Sequence, residues 1–179
     1  MNSLGPRKIK AKYLIKRFRG KTLVLKSTDG TRLLGEFDGN NNSHRAVVVL
    51  LHGWEGSSKS SYLVTTANTF LNNGFDVLRR NFRDHGNTHH INHGIFNCTM
   101  TEEVSDVIKY FLEKHEYQKR LIAGFSLGGN FALRIATGRG SELKLDAVAA
   151  ISPPVNPINA MVAIRLAPFI YRNCFFRKC

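Results

Sequence analysis

The sequence predicts an α/β fold, a mainly parallel sheet flanked by helices, on three observations. Ala46–Leu51 (AVVVLL) is a continuous β-branched and leucine run, the mark of a strand buried on both faces. After it, short apolar runs alternate with stretches of helical periodicity, the β-α repeat of a parallel sheet. A serine framed by glycines, Gly124-Phe125-Ser126-Leu127-Gly128, stands where one apolar run gives way to a helical stretch.

Residues 1–17 form a basic segment, with Arg7, Lys8, Lys10, Lys12, Lys16 and Arg17, expected as a solvated arm. The core is expected over 18–157. Thr22–Lys26 and Thr31–Phe37 flank Ser27-Thr28-Asp29-Gly30, which reads as a hairpin whose turn ends on a glycine able to take positive φ. Asp38–Ser43 (DGNNNS) is loop chemistry, and Ala46–Leu51 is the central strand. A helix is expected over Ser60–Leu71, stopped near Asn72-Asn73-Gly74, then a strand over Phe75–Leu78. Val104, Val107, Ile108, Phe111 and Leu112 set a helical period over Thr101–Glu113, with Glu102 and Glu103 suited to its first turn. Leu121–Phe125 reads as a strand, Asn130–Thr137 as a helix and Leu145–Ile151 as a last strand before Ser152-Pro153-Pro154. Ligands of such sheets bind beyond the C-terminal ends of the strands.

A length of 179 residues suits one domain with a real core, and 42% apolar with 22% charged residues fits an ordinary globular protein. No apolar run is long enough for a transmembrane helix, and no apolar stretch of signal-peptide type follows the basic N-terminus. Cys98, Cys174 and Cys179 lack C-x-x-C spacing and read as reduced thiols, which places the chain in the cytoplasm. The net charge of +13 favours phosphate or anionic lipid, yet no nucleic-acid motif accompanies it, so no nucleic-acid partner is expected.

The chemistry is carried by the serine. In G-x-S-x-G the serine sits on a tight strand-to-helix turn, its hydroxyl raised above the sheet, with neighbours too small to clash. The following helix N-terminus offers free N–H groups to developing negative charge. Ser126 is thus the candidate nucleophile, and the N–H of Leu127 the first oxyanion donor. His52-Gly53-Trp54-Glu55-Gly56 follows the buried strand, and Trp54 N–H is the candidate second donor. His52 reads better as a loop-shaping residue than as a base. Asn81-Phe82-Arg83-Asp84-His85-Gly86-Asn87 reaches the same edge, with His89, His90 and His93 beyond it. A helical His89/His93 pair would suit zinc, but only Asp84 and Cys98 stand near at loose spacing, so loop packing is the better reading and no metal or cofactor is expected.

Together HGWEGSS, NFRDHGNTHH, the helix from Thr101, GFSLGGN and ISPPVNP resemble the α/β-hydrolase superfamily, and within it the YheT-like branch of esterases and lipases. The resemblance runs from about Phe18 to the C-terminus. It implies hydrolysis of carboxylic esters, small or lipid, through an acyl-serine at Ser126, with Leu127 and Trp54 at the oxyanion. It also implies a departure. The family places its acid and histidine after a seventh and an eighth strand, whereas no Asp or Glu follows Asp146 here and no His follows His115. An incomplete fold lacking the last two strands is therefore expected, with 158–179 as the start of a lid. Alternatives are a non-catalytic remnant or basic binding module, or one half of a split hydrolase. An uncovered last strand would favour self-association or a companion chain, unless the tail from Ile158 to Phe176 folds back over it.

Overall fold

The computed structural model describes residues 6–18, 20–40, 45–169 and 172–173. Its centre is a six-stranded sheet in the order β1-β2-β4-β3-β5-β6. The strands are β1 (Lys21–Lys26), β2 (Arg32–Asp38), β3 (Ala46–Leu51), β4 (Asp76–Arg80), β5 (Lys119–Phe125) and β6 (Ala147–Ile151). β1 and β2 form the expected hairpin, with Gly30 at φ +84° in its turn, and β2 runs antiparallel to β4. From β4 through β3 and β5 to β6 all pairs are parallel.

The helices among the described residues are α1 (Pro6–Arg17), α2 (Ser61–Asn72), α3 (Thr101–Glu113), α4 (Leu127–Arg139) and α5 (Pro157–Leu166). The period-2 alternation of strand side chains explains the two cores. Val47, Val49 and Leu51 of β3 pack on one face with Val104, Val107 and Ile108 of α3 and Phe131 and Ile135 of α4. Val48 and Leu50 face the other way, toward Leu63 and Ala67 of α2. Every residue of β3 is buried, as a strand covered on both faces must be.

Several expectations change. The basic segment is not a free arm. It is the helix α1, which packs on α2 and buries Ala11 and Leu14 against Val64. Those anchors stand three residues apart on one helical face, and Ile15 and Phe18 pack beside them, enough to dock a short, strongly basic helix. α4 begins at Leu127 rather than Asn130, because Ser126 acts as its N-cap residue and Gly128 and Gly129 are carried in the first turn. The tail does not close the sheet as far as it is described. β6 is an edge strand with Ile151 40% exposed, and Ile158, Met161, Val162 and Leu166 of α5 remain exposed. Among the described residues no helix is long and apolar enough to cross a membrane.

Candidate active site

The chain direction across the sheet reverses between β3 and β5. β3 leads through α2 to β4 on one side, and β4 leads through α3 back to β5 on the other. The loops leaving two such strands diverge and leave a crevice at their C-terminal ends. Leu51 pairs with Gly124 across this point, so the residues that follow, His52-Gly53 and Phe125-Ser126, emerge side by side.

Ser126 stands alone between the end of β5 and the start of α4, at φ +51° and ψ −119°. A non-glycine residue there is strained by about 1–2 kcal/mol. The turn is held by Ser126 N–H donating to Ile151 O (2.8 Å) and Asn130 N–H donating to Ser126 O (3.1 Å). The residue is exposed, and its Oγ has no hydrogen-bond partner among the described residues. The glycines around it are required by contact. A Cβ on Gly124 would lie 2.1 Å from Gly128 O, and one on Gly128 would lie 2.5 Å from His52 O and Leu51 O.

The loop after β3 comes close. A Cβ on Gly53 would touch Ser126 Cβ at 3.2 Å. Gly53-Trp54-Glu55-Gly56 is a turn closed by Gly56 N–H to Gly53 O (3.0 Å), with Glu55 at φ +54°. Gly53 N–H donates to Tyr62 Oη (2.9 Å), and the Tyr62 ring packs on Phe125 (5.0 Å). Tyr62 therefore ties the start of α2 to both loops, a role that no motif in the sequence signals. Leu127 is buried at the first position of α4, while Trp54 is 41% exposed with its indole against Phe96 (6.3 Å).

His52 is fully buried. Its Nδ1–H donates to Gly53 O (2.7 Å) and its Nε2 accepts from Phe82 N–H (3.2 Å). Both ring nitrogens are thus committed to backbone in one neutral tautomer. Burial pushes its pKa down to about 3, and the nearby charge of Arg80 acts in the same direction. His52 ties the β3 loop to the β4 loop, as the sequence reading favours.

His85 packs at a tilt against His52 (5.1 Å) and edge-on against Phe96 (5.1 Å), and its Nδ1 is bonded to Arg83 O (2.7 Å). Its Nε2 is buried without a hydrogen-bond partner among the described residues. Arg80 is fully buried, with Nε, Nη1 and Nη2 lacking a hydrogen-bond partner among the described residues and its guanidinium over the Phe82 ring at 5.0 Å. Burial lowers the Arg80 pKa to about 9. His89, His90 and His93 lie outward on turns and bends, with no helix to align His89 and His93. His89 Nδ1 stands 3.9 Å from Asp84 Oδ1. Cys98 is exposed with a free thiol, and Cys174 and Cys179 lie outside the described residues. Among the described residues no three metal-ligating side chains gather. A cavity of about 300 Å³ lies at the opposite end of the parallel strands, lined by Phe37, Asp76, His115 and Tyr117, with no contact to Ser126.

The comparisons agree with this architecture. The model of the family Hydrolase_4, described as serine aminopeptidase, S33, matches residues 42–174. The Escherichia coli strain K12 protein YheT is 26% identical over 111 residues, covering 62% of this chain and 33% of YheT. The Bos taurus phospholipase ABHD3 is 28% identical over 136 residues, covering 72% of this chain and 33% of that protein. The chain thus spans about a third of the length of these curated relatives. Among solved structures, the Pyrococcus furiosus esterase Pf2001 superposes with a TM-score of 0.73 over 99% of this chain and 64% of its own, at 20% identity. With the family model covering most of its length and the sheet order that such a fold requires, the chain belongs to the Hydrolase_4 family of α/β hydrolases.

Proposed function

We propose that this chain is part of a serine hydrolase acting on carboxylic esters, with Ser126 as its nucleophile. Ser126 Oγ attacks the ester carbonyl, and the N–H groups of Leu127 and Trp54 receive the oxyanion. The alcohol leaves, and water then releases the acid from the acyl-serine. The observation that supports this best is the strained, exposed Ser126 between β5 and α4, its hydroxyl unpartnered among the described residues and glycines two residues away on each side. Strain of this kind persists where surrounding structure over-determines it, most often at reactive sites. The phospholipase relative extends the proposed substrates to ester-linked lipids.

The proton of Ser126 Oγ needs an acceptor. Among the described residues no side chain hydrogen-bonds to it. A hydroxyl without a base is a poor nucleophile at neutral pH, and this favours, as a second reading, a chain that binds esters without turning them over. The two readings separate with p-nitrophenyl acetate, whose leaving group needs no protonation. The catalytic reading expects a slow release of up to one p-nitrophenolate per chain, absent in Ser126→Ala. No release, or the same release from Ser126→Ala, overturns it.

A further inference from the structure

The helix α1 carries a surface that the hydrolase reading leaves unused. The first acidic residue of the chain is Asp29, and before it stand Arg7, Lys8, Lys10, Lys12, Lys16, Arg17, Arg19, Lys21 and Lys26. Lys10, Lys12 and Lys16 are exposed on α1, and none takes part in an ion pair among the described residues. Spacings of four, such as Lys12 to Lys16, place like charges side by side on a helix, which is destabilising. α1 persists because Ala11 and Leu14 are buried against Val64 of α2. Its outward side is not purely polar: Ile9 is 69% exposed and Tyr13 is 60% exposed, one turn apart among the lysines.

We propose that α1 docks this protein on an anionic phospholipid bilayer, with Ile9 and Tyr13 entering the headgroup region and Lys10, Lys12 and Lys16 meeting the lipid phosphates. Apolar residues ringed by lysines on a helix that lies along a surface are what interfacial binding requires. A nucleic acid would meet the charge alone and would leave Ile9 in water, which favours the bilayer. The placement also suits the substrate. α1 rests against Val64, near the start of α2, and Tyr62 two residues earlier holds the loop beside Ser126. α1 is thus docked on the same helix whose first turn holds the loop beside Ser126. Docking is independent of turnover, so an inactive Ser126→Ala chain docks equally well.

Co-sedimentation of the full chain with phosphatidylcholine vesicles, with and without phosphatidylglycerol, tests this. Binding is expected only with phosphatidylglycerol, and raising the salt should release the wild-type chain. Replacing Lys10, Lys12 and Lys16 by Gln should weaken partitioning about a hundredfold, at about fivefold per charge. Ile9→Gln should weaken it about tenfold. Both variants should melt at or above the wild-type temperature. Equal binding to neutral vesicles, salt-insensitive binding, or wild-type partitioning of the triple variant overturns the proposal. Tighter binding to a DNA duplex than to anionic vesicles at the same salt also overturns it.

Discussion

Gly124 and Gly138 lie one before and one near the end of the same helix, and replacing each by alanine should have opposite effects. At Gly124 the new Cβ would meet Gly128 O at 2.1 Å, Gly128 C at 2.3 Å and Gly129 N at 2.6 Å. All are backbone atoms of the first turn of α4, so no rotamer change relieves the contact. The turn must open by about an ångström, and overpacking of this kind costs about 2–4 kcal/mol. That turn is also pinned from behind, because Gly128 itself sits close to Leu51 O and His52 O. For a domain of this size the melting temperature should fall by roughly 5–15 °C. At Gly138 the added Cβ meets nothing within 4 Å. There alanine should stabilise the helix by about 0.5–1 kcal/mol through propensity and lost unfolded-state freedom. Thermal and urea unfolding of both variants against wild type decide the matter. A Gly124→Ala chain within about 0.5 kcal/mol of wild type would refute the close packing of β5 on α4.

Further expectations concern buried charge, pH and strain. Arg79 and Asp38 form a buried pair at 2.8 Å, 3% and 4% exposed, so Asp38→Ala should cost about 3–5 kcal/mol by stranding the guanidinium. Its neighbour Arg80 is equally buried but has no hydrogen-bond partner among the described residues, so Arg80→Met should be neutral or stabilising by about 1–4 kcal/mol in urea unfolding. His52 has its pKa depressed to about 3 in the folded state, from an ordinary value of 6.5. Its contribution is therefore whole above pH about 6.5 and is lost at about 1.4 kcal/mol per unit as pH falls toward about 3. His52→Gln should flatten that acid limb, and an unchanged limb would show that His52 does not titrate as argued. Ser126→Gly should raise stability by about 1 kcal/mol in the same assay by releasing the strain at φ +51°.

Much of this architecture was readable because its signals are periodic. A fully apolar AVVVLL is a buried strand, and the spacing of Val104, Val107, Ile108 and Phe111 sets one face of α3 with its observed ends at Thr101 and Glu113. The serine turn was readable because glycines at fixed distances from a serine have few other uses. The helix α1 was not, because Ala11, Leu14, Ile15 and Phe18 are too few apolar positions to stand out among its basic residues. α4 starts before the position its sequence suggests because Gly128 and Gly129, poor helix formers, are held in its first turn by packing on Leu51 and Pro153 rather than by propensity. Contacts between distant segments leave no local trace. Nothing in the sequence announces that Tyr62 Oη holds Gly53 N–H, that Asp38 pairs with Arg79, or that His85 rests on His52. These depend on which strand ends become neighbours, and the chain reversal beside β3 decides that.

The central claim is that Ser126 is the reactive group of this chain, and covalent labelling measures that most directly. The full chain is incubated with excess fluorophosphonate until labelling stops, digested, and the adduct located by peptide mass spectrometry. The account predicts one slow adduct per chain on Ser126, absent from Ser126→Ala and unaffected by His89→Ala or His93→Ala. An adduct on another serine or a tyrosine, or an unlabelled Ser126 after exhaustive incubation, would contradict it.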